Sequence, residues 1–235
     1  LVQAHSLPYS EFAILFRGNH QSRPLEKELQ LLSIPYHITG GTAFLDRGEV
    51  KDVLAWLRVI ANPDDDAAFL RAVTSPKREV GATSLEKLAQ LAHNAHVPLA
   101  LAAQNSSYLT ALSARPSAAL AEFSRLVVKL RVQSRNGKAA DIVRAVIDQS
   151  GILAQLRLET KNEALFMRRR ENLDELAQWF ESERRPSGAG DLAAQLALLS
   201  NADRGEPGNQ VRLMSLHSAK GLEFRCVFIV GCEQG

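Results

Sequence analysis

The 235-residue sequence has few of the features that define specialised protein classes. Its only cysteines, Cys226 and Cys232, lie in one apolar segment, which favours buried thiols in a reducing compartment over a disulfide scaffold. Glycine and proline, with 14 and 9 residues, are too few for a collagenous or disordered chain. No apolar run approaches the ~20 residues of a membrane span, and the N-terminus lacks a signal-peptide pattern. We therefore expect a packed cytoplasmic protein.

An excess of charge of one sign is also lacking. Lysine and arginine number 28 against 26 aspartates and glutamates, so any nucleic-acid surface must be local. The phosphate-binding pattern G-x-x-x-x-G-K-[ST] is missing, because the one Gly-Lys pair, Gly137-Lys138, is followed by Ala139. Asp174-Glu175 lies within an amphipathic helical pattern, which indicates a solvated face. We expect no metal site.

A short α/β pattern opens the chain. Residues 11–16 form an almost wholly apolar run that ends in polar residues, which is typical of a strand buried on both faces. A helix is predicted at residues 23–32 and a second strand at 34–38. Pro35 places that second strand near a sheet edge or at a strand start. These residues predict a β-α-β unit.

The middle of the chain is helical in pattern. A helix that begins near Glu49 and is broken at Asn62-Pro63 carries one apolar stripe, made of Val50, Val53, Leu54, Leu57 and Ile60. Asp64, Asp65 and Asp66 supply acceptors at the next helix N-terminus. Thr83 and Glu86 predict a capping box. Further helices are predicted at 117–133, 139–150, 161–184 and 190–200.

Two strand-like runs, residues 211–216 and 225–230, close the sequence and resemble its beginning. The predicted fold class is therefore α/β with a large all-α insertion, in which both chain ends share one sheet layer. We expect domain boundaries at 1–40, 41–209 and 210–235.

Gly40 and Gly41 at the first junction, and the glycine-rich stretch before residue 210, predict a hinge. The chain begins with Leu1 and ends directly after an apolar run, so we expect it to be a piece of a longer protein.

The most specific segment joins the last two strands. It carries Ser215, His217, Lys220 and Glu223, which follow a strand and so lie at the carboxyl edge of the sheet, where α/β layers bind ligands. From the residues alone, a solvated connection with clustered polar side chains is equally consistent.

Resemblance to a known family decides between these interpretations. The segment SLHSAKGLEF (215–224) resembles motif V of the UvrD/Rep/PcrA group of superfamily 1 DNA helicases. FAILFRGNHQSR (12–23) looks like motif IV, and EVKDVLAWLR (49–58) resembles the helix that follows it. Within the group, RGNHQSR and NPDDD (62–66) are most similar to the Rep branch.

The resemblance implies an architecture and an activity. Such helicases have two RecA-like motor subdomains, 1A and 2A, with helical insertions 1B and 2B. This chain looks like parts of 2A on either side of a complete 2B insertion. The whole protein would be an ATP-dependent 3′→5′ helicase that uses Mg²⁺ and binds single-stranded and duplex junction DNA. We expect the fragment alone to be monomeric and inactive in ATP hydrolysis, with no tightly bound cofactor, and the sequence leaves open which replication or repair proteins bind it.

The resemblance also implies roles for individual residues at the nucleotide and the single strand. Phe16 matches an adenine-stacking position that usually holds tyrosine, and Arg17 matches the arginine that reaches the γ-phosphate as an arginine finger. Glu223 matches the motif V carboxylate at the nucleotide. Ser215 and His217 match positions on the single-stranded DNA track. Lys220, in the same motif, could serve either ligand.

A second DNA site is implied in the helical region. The segment SPKREVGATS (75–84) resembles the family's helix-hairpin-helix-like turn, which presents backbone amides to a duplex phosphate. Lys77 and Arg78 add cations, and Gly81, Thr83 and Ser84 form the turn and helix start. Glu79 stands where the family often has its first glycine.

The alternative to a helicase fragment is a stand-alone helical module that binds DNA or docks a protein without ATP. An upstream Gly-Lys-Thr/Ser loop in the reading frame would separate the two.

Overall fold

The structure, a computed structural model, describes residues 7–18, 21–39, 43–181, 192–194, 196 and 208–232. Contacts divide the chain into two compact units, a sheet unit of residues 1–47 with 197–235 and a helical unit of residues 48–196. In chain order, the helical unit therefore lies between two parts of the sheet unit. The hinge predicted at Gly40 and Gly41 lies outside the described residues.

A four-stranded parallel sheet organises the sheet unit. Its elements are β1 (Phe12–Phe16), α1 (Ser22–Leu31), β2 (Tyr36–Thr39), β3 (Val211–Ser215) and β4 (Cys226–Ile229), with 3₁₀ turns at Tyr9–Glu11 and Phe44–Asp46. The strand order is β2-β3-β1-β4, and all three strand pairs are parallel. β1 and β3 are central, so the two ends of the chain share one sheet, as predicted.

Side chains alternate between the two faces of the sheet. Phe12, Phe16 and Leu213 belong to one buried apolar cluster, whereas Leu15 and Met214 belong to the cluster on the opposite side. This two-sided burial confirms that residues 11–16 contain a strand buried on both faces.

The second predicted strand is confirmed at the sheet edge, but it starts at Tyr36, not Ile34. Pro35 has no N–H to donate to a ladder, yet its carbonyl accepts from the Val211 amide at 2.9 Å.

Nine helices of the helical unit are assigned within residues 48–181. They are α2 (Gly48–Ala61), α3 (Asp66–Thr74), α4 (Ala82–Asn94), α5 (Leu99–Ala102), α6 (Ser106–Leu109), α7 (Ala114–Ser134), α8 (Ala139–Gln149), α9 (Ile152–Glu159) and α10 (Glu163–Glu181). The helix predicted at 190–200 lies mostly outside the described residues, although residues 192–194 are helical.

The core of the helical unit is built around α2. Four residues of its predicted apolar stripe are buried, whereas Leu54 is half-buried. Trp56 on the same helix is fully buried as well. The Phe123 ring of α7 meets the Trp56 ring at 4.9 Å and the Phe69 ring at 5.5 Å, both edge to face. Aromatic packing therefore joins α2, α3 and α7.

Side chains satisfy some of the helix ends in this unit. Asp65 caps α3 by accepting from the Ala68 amide at 2.9 Å, as the aspartate run predicted. At the end of α2, Arg131 donates to the carbonyls of Val59 and Ile60 at 2.7 and 3.0 Å. Burial lowers the pKa of Arg131.

The predicted capping box at Thr83 and Glu86 is wrong. Helix α4 begins at Ala82, its N-cap is Gly81, and no side chain caps it. Thr83 therefore lies inside the first turn, where its hydroxyl cannot take the N-cap position.

Three helices, α5, α6 and α9, were not predicted. The first two are single turns of four residues, too short for a periodic pattern. The third follows Gly151, which adopts a left-handed φ of 87°, and lies in the gap between the helices predicted at 139–150 and 161–184. No helix in the described part of the chain is both long and apolar enough to cross a membrane.

Candidate nucleotide and DNA sites

Two chain segments leave the sheet side by side at its carboxyl edge. In the β1–β3 pair, Phe16 lies opposite Ser215, and the Leu216 amide donates to the Phe16 carbonyl at 2.9 Å. Arg17 therefore leaves β1 next to the point where the loop after β3 begins. Parallel strands place both at the ligand-binding edge of the sheet.

Arg17 projects an exposed side chain from the end of β1. Its backbone, in contrast, is held by Gln21, whose Oε1 accepts from the amides of Arg17 and Gly18 at 3.0 and 3.1 Å. An exposed guanidinium on a restrained backbone suits contact with a phosphate supplied from outside the unit.

The loop after β3 presents four exposed charged or titratable side chains, those of His217, Lys220, Glu223 and, directly before β4, Arg225. The start of this loop is ordered by Ser215. The Ser215 Oγ accepts from the Ser218 amide at 3.1 Å and lies 2.8 Å from the Ser218 Oγ. This local turn orders the start of the loop.

Two apolar side chains fix the same loop to the sheet. Ala219 and Phe224 pack against the cluster that contains Leu15 and Met214. The polar residues between them are therefore presented on an anchored loop.

Phe16 has a different place from the one its motif implies. Its ring is 0% exposed and lies in the apolar cluster with Phe12 and Leu213. In this structure the ring has no exposed face on which a base could stack. A base could therefore stack on this ring only if the ring left the apolar cluster.

The second candidate site is the turn between α3 and α4. Lys77, Gly81 and Thr83 are exposed along it, and Ser84 is half-buried. The amides of Ser84 and Leu85 already donate to the Gly81 carbonyl, so the helix begins directly at the turn. The first-turn amides of α4 thus lie at an exposed helix N-terminus, a favourable position for a phosphate.

Gly81 is not required by the chain's own packing. Its φ is −83°, which any residue can adopt, and an added Cβ would meet no atom within 4 Å. The absence of a side chain therefore leaves open space in front of the helix N-terminus.

Arg78 lies beside this turn but is directed into the helical unit. Its guanidinium donates to the carbonyls of Ala72, Val73, Pro76 and Ser150 at 2.8–3.2 Å. This arrangement satisfies carbonyls from the last turn of α3.

The same guanidinium lies over two aromatic rings, 4.9 Å from the centroid of Trp56 and 5.2 Å from that of Phe123. Burial lowers the pKa of Arg78 to about 10, and nearby Glu122 opposes that shift, so the group stays protonated at neutral pH. The structure therefore uses Arg78 as an internal clamp, with its donors engaged by the protein.

The sequence did not identify Gln21, Ser218 and Phe224 as site residues, although all three lie within the quoted motifs. Their roles depend on contacts with the edge loops, and residue type alone gives no signal for them. The described part of the chain brings together no cluster of three or more metal-ligating side chains.

The parallel sheet with its charged edge, together with a helical unit, fits the class of protein that the motifs indicate, a DNA helicase. Comparison with known proteins agrees: the model of the UvrD-like helicase C-terminal domain matches residues 2–235, and the chain belongs to this family.

The ATP-dependent DNA helicase Rep of Escherichia coli (strain K12) is 38% identical over 97% of this chain, which covers 35% of that protein. The ATP-dependent DNA helicase PcrA of Leuconostoc citreum is 35% identical over 100% of the chain, which covers 32% of the relative. PcrA of Bacillus subtilis (strain 168) is 37% identical, with 96% and 32% covered. The chain thus spans about a third of the length of these relatives.

Proposed function

We propose that this chain is part of an ATP-dependent DNA helicase that translocates 3′→5′ on single-stranded DNA and unwinds duplex. Residues 1–40 and 210–235 belong to a RecA-like subdomain of the 2A type, and residues 41–209 form the 2B insertion. Membership of the family and the helicase activity named for the relatives support this proposal. The whole protein would couple ATP hydrolysis to movement along DNA.

The observation that carries the proposal is the exposed Arg17 at the end of β1, next to the loop after β3. A planar guanidinium can stabilise the negative charge that develops on a transferred phosphoryl group. Glu223 on the loop would accept from the ribose, and Lys220 is available to either the nucleotide or the DNA. The sheet unit would therefore form one side of the ATP cleft.

Mg²⁺ bound with ATP would neutralise phosphate charge. The residues described here fit a role opposite such a nucleotide, since Arg17 and Lys220 are exposed cations at the same edge. They would orient the phosphates, and the remaining nucleotide ligands would come from the other motor subdomain.

The same edge would bind the single strand through Ser215 and His217. His217 is exposed, and Ser215 shares a hydroxyl hydrogen bond with Ser218, so one hydroxyl of this pair keeps a proton to donate. Donors of this kind bind phosphates without reading the base sequence.

The helical unit would contact duplex DNA through the turn at 77–84. Lys77 provides an exposed charge, and Gly81, Thr83 and Ser84 present the start of α4. Arg78 would contribute indirectly by holding the turn against the core.

Arg17→Ala tests the function in the complete protein. We expect kcat for DNA-stimulated ATP hydrolysis to fall roughly 10³-fold or more, with a smaller change in ATP affinity, because a finger acts mainly on the transition state. Arg225→Ala, which removes another exposed arginine of the sheet unit, is the matched control and should stay near wild type. Turnover of the Arg17 variant within a few-fold of wild type would contradict the proposal.

A further inference from the structure

Gln21 fastens the backbone from which Arg17 projects. Its side-chain oxygen accepts two hydrogen bonds, from the Arg17 amide at 3.0 Å and from the Gly18 amide at 3.1 Å. The backbone amide of Gln21 donates to the Gly18 carbonyl at 2.9 Å. Three hydrogen bonds thus join Gln21 to the two residues that follow β1, and they fix the direction in which the chain leaves the strand.

Gly231, near the other end of the sequence, packs against the Gln21 side chain. It follows β4, which is held beside β1 by a hydrogen bond from the Val230 amide to the Leu15 carbonyl at 3.0 Å. Gly231 adopts a φ of 69°, and a Cβ added there would lie 2.1 Å from Gln21 Nε2 and 3.0 Å from Gln21 Cδ. Only glycine leaves room for the Gln21 amide group in this position.

Arg17 needs such support because few contacts of its own side chain restrict its orientation. It is exposed, and within the described residues no carboxylate forms an ion pair with it. A long exposed side chain loses much rotamer freedom when it is ordered, and a fixed backbone lowers the number of orientations to be restricted.

We propose that Gln21 is a positioning residue for Arg17 in ATP hydrolysis, with Gly231 as the surface that holds Gln21 in place. The proposal rests on the function proposed for Arg17. Gln21 itself contacts backbone amides of the chain, so its effect on catalysis passes through the placement of Arg17.

A double-mutant cycle on the complete protein tests this dependence. We expect Gln21→Ala to lower kcat for DNA-stimulated ATP hydrolysis by about 10- to 100-fold, with KM for ATP changed less than about threefold, because misplacement of a catalytic group weakens transition-state contacts first. On the Arg17→Ala background, Gln21→Ala should add almost nothing. The proposal would be overturned if the loss of kcat in the double variant equalled the product of the losses in the two single variants. It would also be overturned if Gln21→Ala had a normal kcat.

The cycle also separates this inference from the proposed function. If Arg17→Ala abolishes turnover and Gln21→Ala does not reduce it, only the positioning role of Gln21 fails. If Arg17→Ala leaves turnover within a few-fold of wild type, the proposed role of Arg17 fails, and the positioning role fails with it.

Hydrogen exchange of the complete protein gives a readout that does not depend on activity. Exchange of the Arg17 and Gly18 amides should become faster in Gln21→Ala and in Gly231→Ala, whereas Gln21→Glu, which keeps an acceptor oxygen, should preserve slow exchange. Gly208→Ala is the control for backbone strain, since Gly208 also has a positive φ, 90°, but no atom within 4 Å of an added Cβ. It should lower Tm without changing exchange at residues 17 and 18. If exchange of the Arg17 and Gly18 amides is unchanged in Gln21→Ala, the positioning role of Gln21 is refuted, whatever the activity of the variant.

Discussion

Arg17 and Arg78 show how differently one residue type is used in the two units. Both arginines lie in motif segments and both were predicted to meet a phosphate. Arg17 projects an exposed guanidinium from a backbone held by Gln21. Arg78 turns inward, with its guanidinium on four carbonyls and over two aromatic rings. A motif therefore identifies a segment, but packing decides which of its cations can reach a ligand.

The difference has a physical origin in the two settings. At the end of β1 the carbonyl of Phe16 accepts from the Leu216 amide and that of Gly18 from the Gln21 amide, so neither of these carbonyls requires the Arg17 guanidinium. At the end of α3 the last carbonyls have no helical partner, and a guanidinium with five N–H donors can satisfy several at once. The carbonyls at the end of α3 therefore hold the Arg78 guanidinium inside the helical unit.

The largest effect expected from this comparison concerns stability. Arg78→Ala should lower the free energy of unfolding of the helical unit by about 3 kcal/mol, because it leaves buried carbonyls unpaired and removes the contacts to Trp56 and Phe123. That corresponds to a fall in Tm of roughly 6–12 °C for a unit of this size. Thermal unfolding of the complete protein measures the change, and hydrogen exchange of α3 peptides localises it.

Lys77→Ala is the matched control for this measurement, since Lys77 is the exposed neighbour of Arg78, and its removal should leave Tm unchanged. If Arg78→Ala is as stable as Lys77→Ala but binds duplex DNA weakly, then Arg78 acts at the DNA and not as a clamp.

The sequence predicted much of the fold because its signals are local. The apolar run before Arg17 defines β1, and the stripe on α2 defines a buried helix face. Aspartates at 64–66 correctly marked the start of α3. Each of these features depends on residues within one or two turns of one another.

Features that depend on distant contacts were not predictable in this way. Gln21 meets Gly231 across more than two hundred residues, and Arg78 meets Ser150 across the helical unit. Phe16 is a different case, because the local alternation of β1 already directs its ring into the core, whereas its motif implies a contact with the nucleotide. Thr83 does not cap α4, because the N-cap of the helix is Gly81, two residues before it.

A moderate effect is expected for the approach of duplex DNA to α4. Gly81→Ala should weaken binding of a blunt duplex by about tenfold, the equivalent of one charge-assisted hydrogen bond, because a methyl group would stand in front of the helix N-terminus. Stability should fall by no more than about 1 kcal/mol, because alanine is a poorer N-cap than glycine but the added Cβ meets no atom of the chain. Binding of a blunt duplex and of a single strand, measured in parallel by fluorescence anisotropy, separates this site from the sheet edge.

Gly48→Ala makes the same chemical change at another position where an added Cβ meets nothing. It should leave duplex affinity intact. Equal affinities for the two variants would remove the start of α4 from the duplex interface.

The smallest expected effect is on the salt dependence of duplex binding. It shows whether Lys77 or Arg78 neutralises a DNA phosphate. Lys77 is exposed and its charge is available for a phosphate, whereas the donors of Arg78 are engaged by carbonyls. Each phosphate neutralised by a cation contributes about 0.9 to the slope of log K against log salt concentration. Lys77→Ala should therefore reduce the slope for duplex binding by about one, and Lys138→Ala, which removes an exposed lysine far along the sequence, should not. Because Arg78→Ala alters folding, Arg78→Gln is the informative partner, since it removes the charge and keeps N–H donors for the carbonyls. Its slope should equal that of wild type. A reduced slope in Arg78→Gln together with an unchanged slope in Lys77→Ala would reverse the assignment and make Arg78 the residue at the phosphate.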